Sequence, residues 1–149
     1  MRCLTMIEGL EEILRDNYCS FRRSHGKKKI YIEVPVFSRS VDLVEFDSHS
    51  RKITAVEFKI SDWKRAIRQL SDISICFDYL ILCVPKPKTD KCIESIKNAC
   101  LEKGMGLILW DQSDNSFMRI CEPTEVTDIW KEPKRKILKY LKEREVYHG

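Results

Sequence analysis

Ser40-Val41-Asp42-Leu43-Val44-Glu45-Phe46 and, after a short turn, Ala55-Val56-Glu57-Phe58-Lys59-Ile60 are the two stretches that decide how this chain is read. Both are rich in β-branched and aromatic residues, as strands are. Asp47-Ser48-His49-Ser50 between them is a turn signal, so the pair reads as a hairpin. Strand side chains alternate between faces, which puts Glu57 and Lys59 on one face. Asp42, at the start of the preceding strand, can then lie near both. Two carboxylates and one ammonium would converge inside an otherwise apolar sheet. Burying such charges is costly unless they pair or bind a metal. Hard oxygen ligands suit Mg²⁺, or Mn²⁺ in its place.

Outward from this hairpin the pattern is regular. Leu4, Ile7, Leu10, Ile13 and Leu14 recur at helical spacing and predict a helix over 4–16. A basic loop with Arg22, Arg23, Lys27, Lys28 and Lys29 around Gly26 is expected next, then strands over 30–36, 41–46 and 53–60. Ser61 and Asp62 open a second helix, whose stripe of Trp63, Ala66, Ile67, Leu70 and Ile73 leaves Lys64, Arg65 and Arg68 on the other face. The apolar run 79–84 predicts a strand covered on both sides. A helix over 89–102, a glycine turn at Gly104 and Gly106, a buried strand over 107–110 and an edge strand over 117–121 complete the middle. Pro133 suits the first turn of a last basic helix, about 132–146. A hairpin-rich start followed by alternation predicts one α/β domain over 1–149, a mixed central sheet with helices on both faces.

Composition bounds the rest. The 149 residues are 43% hydrophobic, enough for one core, and ten Gly plus Pro exclude a low-complexity chain. Charged residues reach 34%, but 27 basic against 23 acidic leave a net charge of only +4, so placement matters more than the sum. No apolar run approaches the roughly 20 residues of a membrane helix. The start of the chain carries acids where a secretion signal is apolar. Seven cysteines without metal spacing read as reduced thiols of a cytoplasmic protein, and His25, His49 and His148 are too scattered for a zinc site.

A Glu-x-Lys triplet alone says little, and Glu132-Pro133-Lys134 and Asp62-Trp63-Lys64 fit similar patterns at helix starts. Glu57-Phe58-Lys59 differs in its setting: an apolar strand, an acid-bearing strand before it and a basic helix after it. In this setting the sequence resembles the PD-(D/E)XK nuclease superfamily, which includes restriction endonucleases, Holliday-junction resolvases and RecB-type nuclease domains. The family carries an acid on its second core strand and acid-x-Lys on its third, matched by Asp42, Glu57 and Lys59. Ser40-Val41 stand where the motif has its Pro. The resemblance covers 4–84 in element order and implies a restriction endonuclease-like core.

The resemblance implies a metal-dependent deoxyribonuclease, an endonuclease rather than an exonuclease. Asp42 and Glu57 would hold Mg²⁺, with the Phe58 carbonyl as a further ligand and Lys59 serving the attacking water. Glu11 on the first helix and Gln69 on the helix after the lysine would support them. Lys64, Arg65 and Arg68 are the expected phosphate contacts, in a chain with further basic clusters at Lys86-Lys88-Lys91 and in the last helix. Glu33 is expected to pair with Arg39 rather than join the site, and Trp63 to pack between helix and sheet. DNA is the expected partner, with no membrane and no organic cofactor. A core this small is compatible with a homodimer gripping duplex DNA, and the sequence leaves the oligomeric state open. The competing readings are a non-catalytic nucleic-acid-binding subunit that keeps the fold, and a structural domain using these charges as a salt bridge.

Overall fold

β2 (Arg39–Asp47) and β3 (Lys52–Phe58) form the expected antiparallel hairpin, in register from Leu43↔Val56 to Asp47↔Lys52. The Asp47 carboxylate closes the turn by accepting the N–H groups of His49 and Ser50 at 3.0 and 3.4 Å. The structure is a computed structural model and describes residues 6–26 and 28–148. Leu4, Cys3 and Lys27 lie outside the described residues.

Around the hairpin, the order is α1 (Met6–His25), β1 (Lys29–Val36), β2, β3, α2 (Trp63–Asp72), a 3₁₀ turn (Ser74–Cys76), β4 (Tyr79–Pro85), α3 (Asp90–Glu102), β5 (Gly106–Asp111), β6 (Ser116–Cys121) and α4 (Lys131–His148). The six strands lie side by side in chain order. β1–β2–β3 is an antiparallel meander, β3, β4 and β5 run parallel, and β6 turns back as an edge strand. The architecture is α/β, a mixed sheet with helices on both faces and a restriction endonuclease-like core.

The sheet has two apolar faces. α2, α3 and α4 cover one, through Ala66, Ile67, Leu70, Ile96, Cys100, Ile137 and Leu141. α1 covers the other, through Leu14, Tyr18 and Cys19 against Leu43, Val56, Phe58, Ile81 and Ile108. β4 is buried on both sides, as its unbroken apolar run predicts. Burying each large apolar side chain contributes about 1.5–3 kcal/mol. α2 and α3 are the crossovers between parallel strands, and crossovers of one hand stepping in one direction fall on the same face. Trp63 packs against this face, as expected. Gly104 adopts a φ of +69° in the turn into β5, a conformation that a side chain disfavours.

Three expectations are corrected. The first helix does not end at 16 but continues to His25, so Arg22 and Arg23 belong to a helix and not to a basic loop. Asn17-Tyr18-Cys19-Ser20 are indifferent helix formers, and tertiary contacts override that preference. Glu45 is 1% exposed, the Tyr18 hydroxyl donates to it at 2.9 Å, and Arg22 Nε donates to it at 2.8 Å. The third strand ends at Phe58, so Lys59 and Ile60 lie beyond it. The 3₁₀ turn after α2 has no counterpart in the expected order.

A second buried acid fastens α4. Asp78 accepts the Ile53 N–H at 2.8 Å and both its oxygens lie within 3.0 Å of Lys134 Nζ. α4 is thereby held to the start of β3 through one lysine.

Arg22 Nε forms an ion pair with the buried Glu45 at 2.8 Å. Removing one member of a buried pair leaves an uncompensated charge, which costs about 3–5 kcal/mol. Arg22→Ala is expected to lose stability of that order in denaturant unfolding. Arg22→Ala combined with Glu45→Gln is expected to recover a large part of it. Equal losses in both proteins would show that packing, not charge, ties α1 to the sheet.

Candidate active site

The β2–β3 ladder opens where the acids sit. Its last regular pair is Leu43↔Val56, and the next step in that register sets Asp42 opposite Glu57. There the side chains replace the backbone partners. The Asp42 N–H donates to Glu57 Oε1 at 3.3 Å, and the Phe58 N–H donates to Asp42 Oδ2 at 2.9 Å. Each acid thus ties the other's strand, and both carboxyl groups are held against one another. On the far side, Ile32↔Leu43 and Val34↔Val41 flank Glu33 and Asp42, which form no ladder pair themselves. Glu33 has a left-handed φ of 52° at that point. Such backbone costs about 1–3 kcal/mol and persists only where the surroundings impose it.

Asp42 and Glu57 line a cleft of about 420 Å³, together with Glu11, Arg39, Ser40, Phe58, Lys59 and Gln69. Lys59 continues the line of β3, its N–H donating to the Cys83 carbonyl at 3.1 Å. Its Nζ lies 3.9 Å from Glu11 Oε1, which also accepts the Ile60 N–H at 3.3 Å. Glu11 therefore comes from α1, on the opposite face, over the end of the sheet to the segment after β3. It engages Lys59 rather than the Asp42–Glu57 pair. Among the described residues no three His, Cys, Asp or Glu side chains cluster as a ready-made ion cage. The oxygen donors that face each other are two carboxylates.

Burial dominates the electrostatics of that pair. It raises Asp42 above the usual carboxylate range, against the pull of the Phe58 N–H, Glu57, Arg15 and Lys59. Glu57 is pushed up to about 9, first by burial and then by the charge of Asp42, with Arg39 opposing. Two carboxyl groups this close in a low-dielectric site cannot both be ionised cheaply, so the pair keeps a proton near neutrality.

The sequence-predicted residues fall into two groups. Asp42, Glu57, Phe58, Lys59, Gln69 and Glu11 meet in the cleft. The Phe58 ring packs edge-on against Tyr18 at 5.3 Å, on the α1 face, so its contribution to the cleft is main chain. Lys64, Arg65 and Arg68 are exposed on α2, outside the cleft lining. Lys64 Nζ lies 5.6 Å from the centre of the Trp63 ring.

The expected Glu33–Arg39 pairing is corrected. Glu33 Oε1 instead accepts Arg15 Nη1 at 3.3 Å, because its left-handed backbone sends the side chain to α1. Arg39 Nη2 donates to the Gln69 carbonyl at 2.8 Å and sits 3.4 Å from Asp72. Arg39 and Ser40 are thus cleft residues that sequence reasoning missed. Strand alternation from Asp42 could have found Ser40. Nothing local marks Arg39, whose partner lies on another element.

No protein-family model matches the chain, and no sequence among curated proteins matches it. Among solved structures, a protein of unknown function from Silicibacter pomeroyi has a TM-score of 0.65 at 15% identity, over 91% of this chain and 85% of that one. That is a likeness of fold. A repair endonuclease from Pyrococcus abyssi overlaps 74% of this chain at 18% identity and a TM-score of 0.49, and the overlap spans 50% of the endonuclease. SfsA from Pyrococcus furiosus in complex with Ca²⁺ overlaps 77% of the chain and 61% of its own length, at 15% identity and a TM-score of 0.38. No helix among the described residues is long and apolar enough to cross a membrane.

The raised acid has a stability signature. Between the ordinary carboxylate value of 4.5 and about 9, the folded chain holds a proton that the unfolded chain has released. Unfolding then releases a proton, so stability falls as pH rises through this window. Thermal melts in chelator should show that fall in the wild type and a shallower one in Glu57→Gln. Equal slopes for the two proteins would remove Glu57 as the proton's site.

Proposed function

We propose that the protein is a metal-dependent endonuclease of the PD-(D/E)XK type, hydrolysing phosphodiester bonds in DNA. The observation that carries the reading is the facing pair Asp42 and Glu57, half-buried in the same cleft as Lys59. The donor set fits a divalent cation. Two carboxyl groups hold each other through backbone N–H groups and must keep a proton near neutrality, a proton that a doubly charged cation would displace. Asp42, Glu57 and the Phe58 carbonyl would hold Mg²⁺ or Mn²⁺. Such an ion would neutralise charge on the scissile phosphodiester and acidify a bound water.

The chain's own residues supply the rest. The Lys59 ammonium orients the attacking water and offsets the charge that builds on the phosphate. Glu11 is a positioning residue: it fixes the Ile60 backbone and lies beside Lys59 Nζ. Arg39 brings a second cation to the cleft wall, anchored on the Gln69 carbonyl. Gln69 sits beside it, with its side chain for a substrate oxygen. Lys64, Arg65 and Arg68 form an exposed cationic edge on the helix that follows Lys59 and suit flanking phosphates. Each phosphate so neutralised steepens the salt dependence of binding by about 0.9 on duplex DNA.

The decisive assay offers circular plasmid, single-stranded, flapped and four-way-junction DNA with Mn²⁺ or Mg²⁺. The wild type is expected to cut at least one. Lys59→Ala should slow it by about 10²–10⁴, the usual contribution of a positioned proton-transfer group. Asp42→Asn and Glu57→Gln should abolish it. Nicking of the closed circle identifies an endonuclease. Equal cleavage by wild type and Lys59→Ala would mark a contaminant, and tight binding without cleavage would identify a non-catalytic nucleic-acid-binding subunit.

A further inference from the structure

The tip of the β1–β2 hairpin is built against its own interest. Val36 pairs with Arg39, so Phe37 and Ser38 form a two-residue turn. Phe37 has a left-handed φ of 57°. That conformation at the first central position of a tight hairpin favours Gly, Asn or Asp, and it strains a bulky side chain. The Phe37 side chain is also 64% exposed. The other large exposed apolar residues, Ile13, Leu101, Met118 and Trp130, all have negative φ. A glycine at 37 would relieve both the strain and the exposure.

Position supplies what packing does not. The residues that follow the tip, Arg39, Ser40 and Asp42, line the cleft one after another. Phe37 stands two residues before Arg39, less than about 7 Å away across the tight turn, and the strand from Arg39 to Asp42 adds about 10 Å. It therefore stands at the tip of the hairpin whose returning strand forms the cleft wall from Arg39 to Asp42, just outside the cleft lining. An exposed aromatic ring near a cationic cleft wall is the arrangement by which single strands are held, bases stacking on rings while cations track the backbone. At about 3.4 Å per stacked nucleotide, the ring would meet a base no more than about five nucleotides from the scissile phosphate.

We propose that Phe37 stacks on an unpaired base of the substrate and so selects single-stranded or unwound DNA. The proposal deepens the nuclease reading and rests on it for the identity of the ligand as DNA. The turn sets Phe37 at the hairpin tip, exposed and outside the core, where a base can reach it.

The test uses single-stranded oligonucleotides carrying 2-aminopurine at successive positions, bound in chelator so that no cleavage occurs. Wild type and Phe37→Trp should change the fluorescence of one base, or two adjacent bases, and bind with similar affinity. Phe37→Gly should lose that change and bind about 5- to 150-fold more weakly, the range for one base on one aromatic ring. Its melting temperature should equal or exceed that of the wild type, which excludes misfolding. Single-strand affinity in Phe37→Gly equal to wild type, or fluorescence changes that persist in it, would overturn the proposal, as would no binding at all. The two readings fail separately. Phe37-dependent stacking without cleavage in Mn²⁺ would sink the nuclease and leave the stacking site. Cleavage with Phe37-independent binding would do the reverse.

Discussion

Two carboxyl groups facing each other across an antiparallel register, in the half-dry end of a sheet, are the constraint to which the rest of this structure answers. Asp42 and Glu57 meet because Leu43 pairs with Val56. A register shift of one residue would move either acid to the other face of the sheet. Burial raises both acids, and the charge of Asp42 adds to it at Glu57, which is pushed up to about 9; their backbone neighbours respond. The ladder opens, two N–H groups turn to side-chain oxygens, and Glu33 takes a strained backbone beside them. A sheet selected for stability alone would place apolar residues at both positions.

The cleft is possible because the surrounding sheet is rigid. β3, β4 and β5 are parallel and buried on both faces, so the end of β3 cannot drift. α1 has two duties at opposite ends of its length. Its first half brings Glu11 over the sheet edge to Lys59 and Ile60, and its second half ties Tyr18 and Arg22 to Glu45. The Glu45 tie fixes the helix lengthwise, and the position of Glu11 follows from it. The Asp78–Lys134 pair does the same for α4 on the other face.

Charge placement also resolves what the net charge left open. A sum of +4 says little about a polyanionic partner. The acids, however, are not spread evenly. Glu45, Asp78, Asp42 and Glu57 are buried or half-buried, each against backbone or a side-chain partner. The outer face of α2 keeps Lys64, Arg65 and Arg68 exposed.

The sequence by itself determined the elements and their faces. Alternation in 41–46 and 53–60 placed Glu57 with Ile53 and Ala55, and the helical stripe from Trp63 to Ile73 marked the side of α2 that is buried. These are local periodicities, set by backbone geometry that every chain shares. The fold alone set α2 over the sheet face of Ile53 and Ala55. The pairing of Asp42 with Glu57 was legible because a short turn leaves one register that keeps apolar residues inside. Tertiary structure alone decided the length of α1, since its second half is held by Glu45, about 27 residues away in the chain. It also decided the partners of Glu33 and Arg39, which sit close in sequence and yet turn to different helices. Long side chains find their partners in space, and the fold sets which element lies within reach.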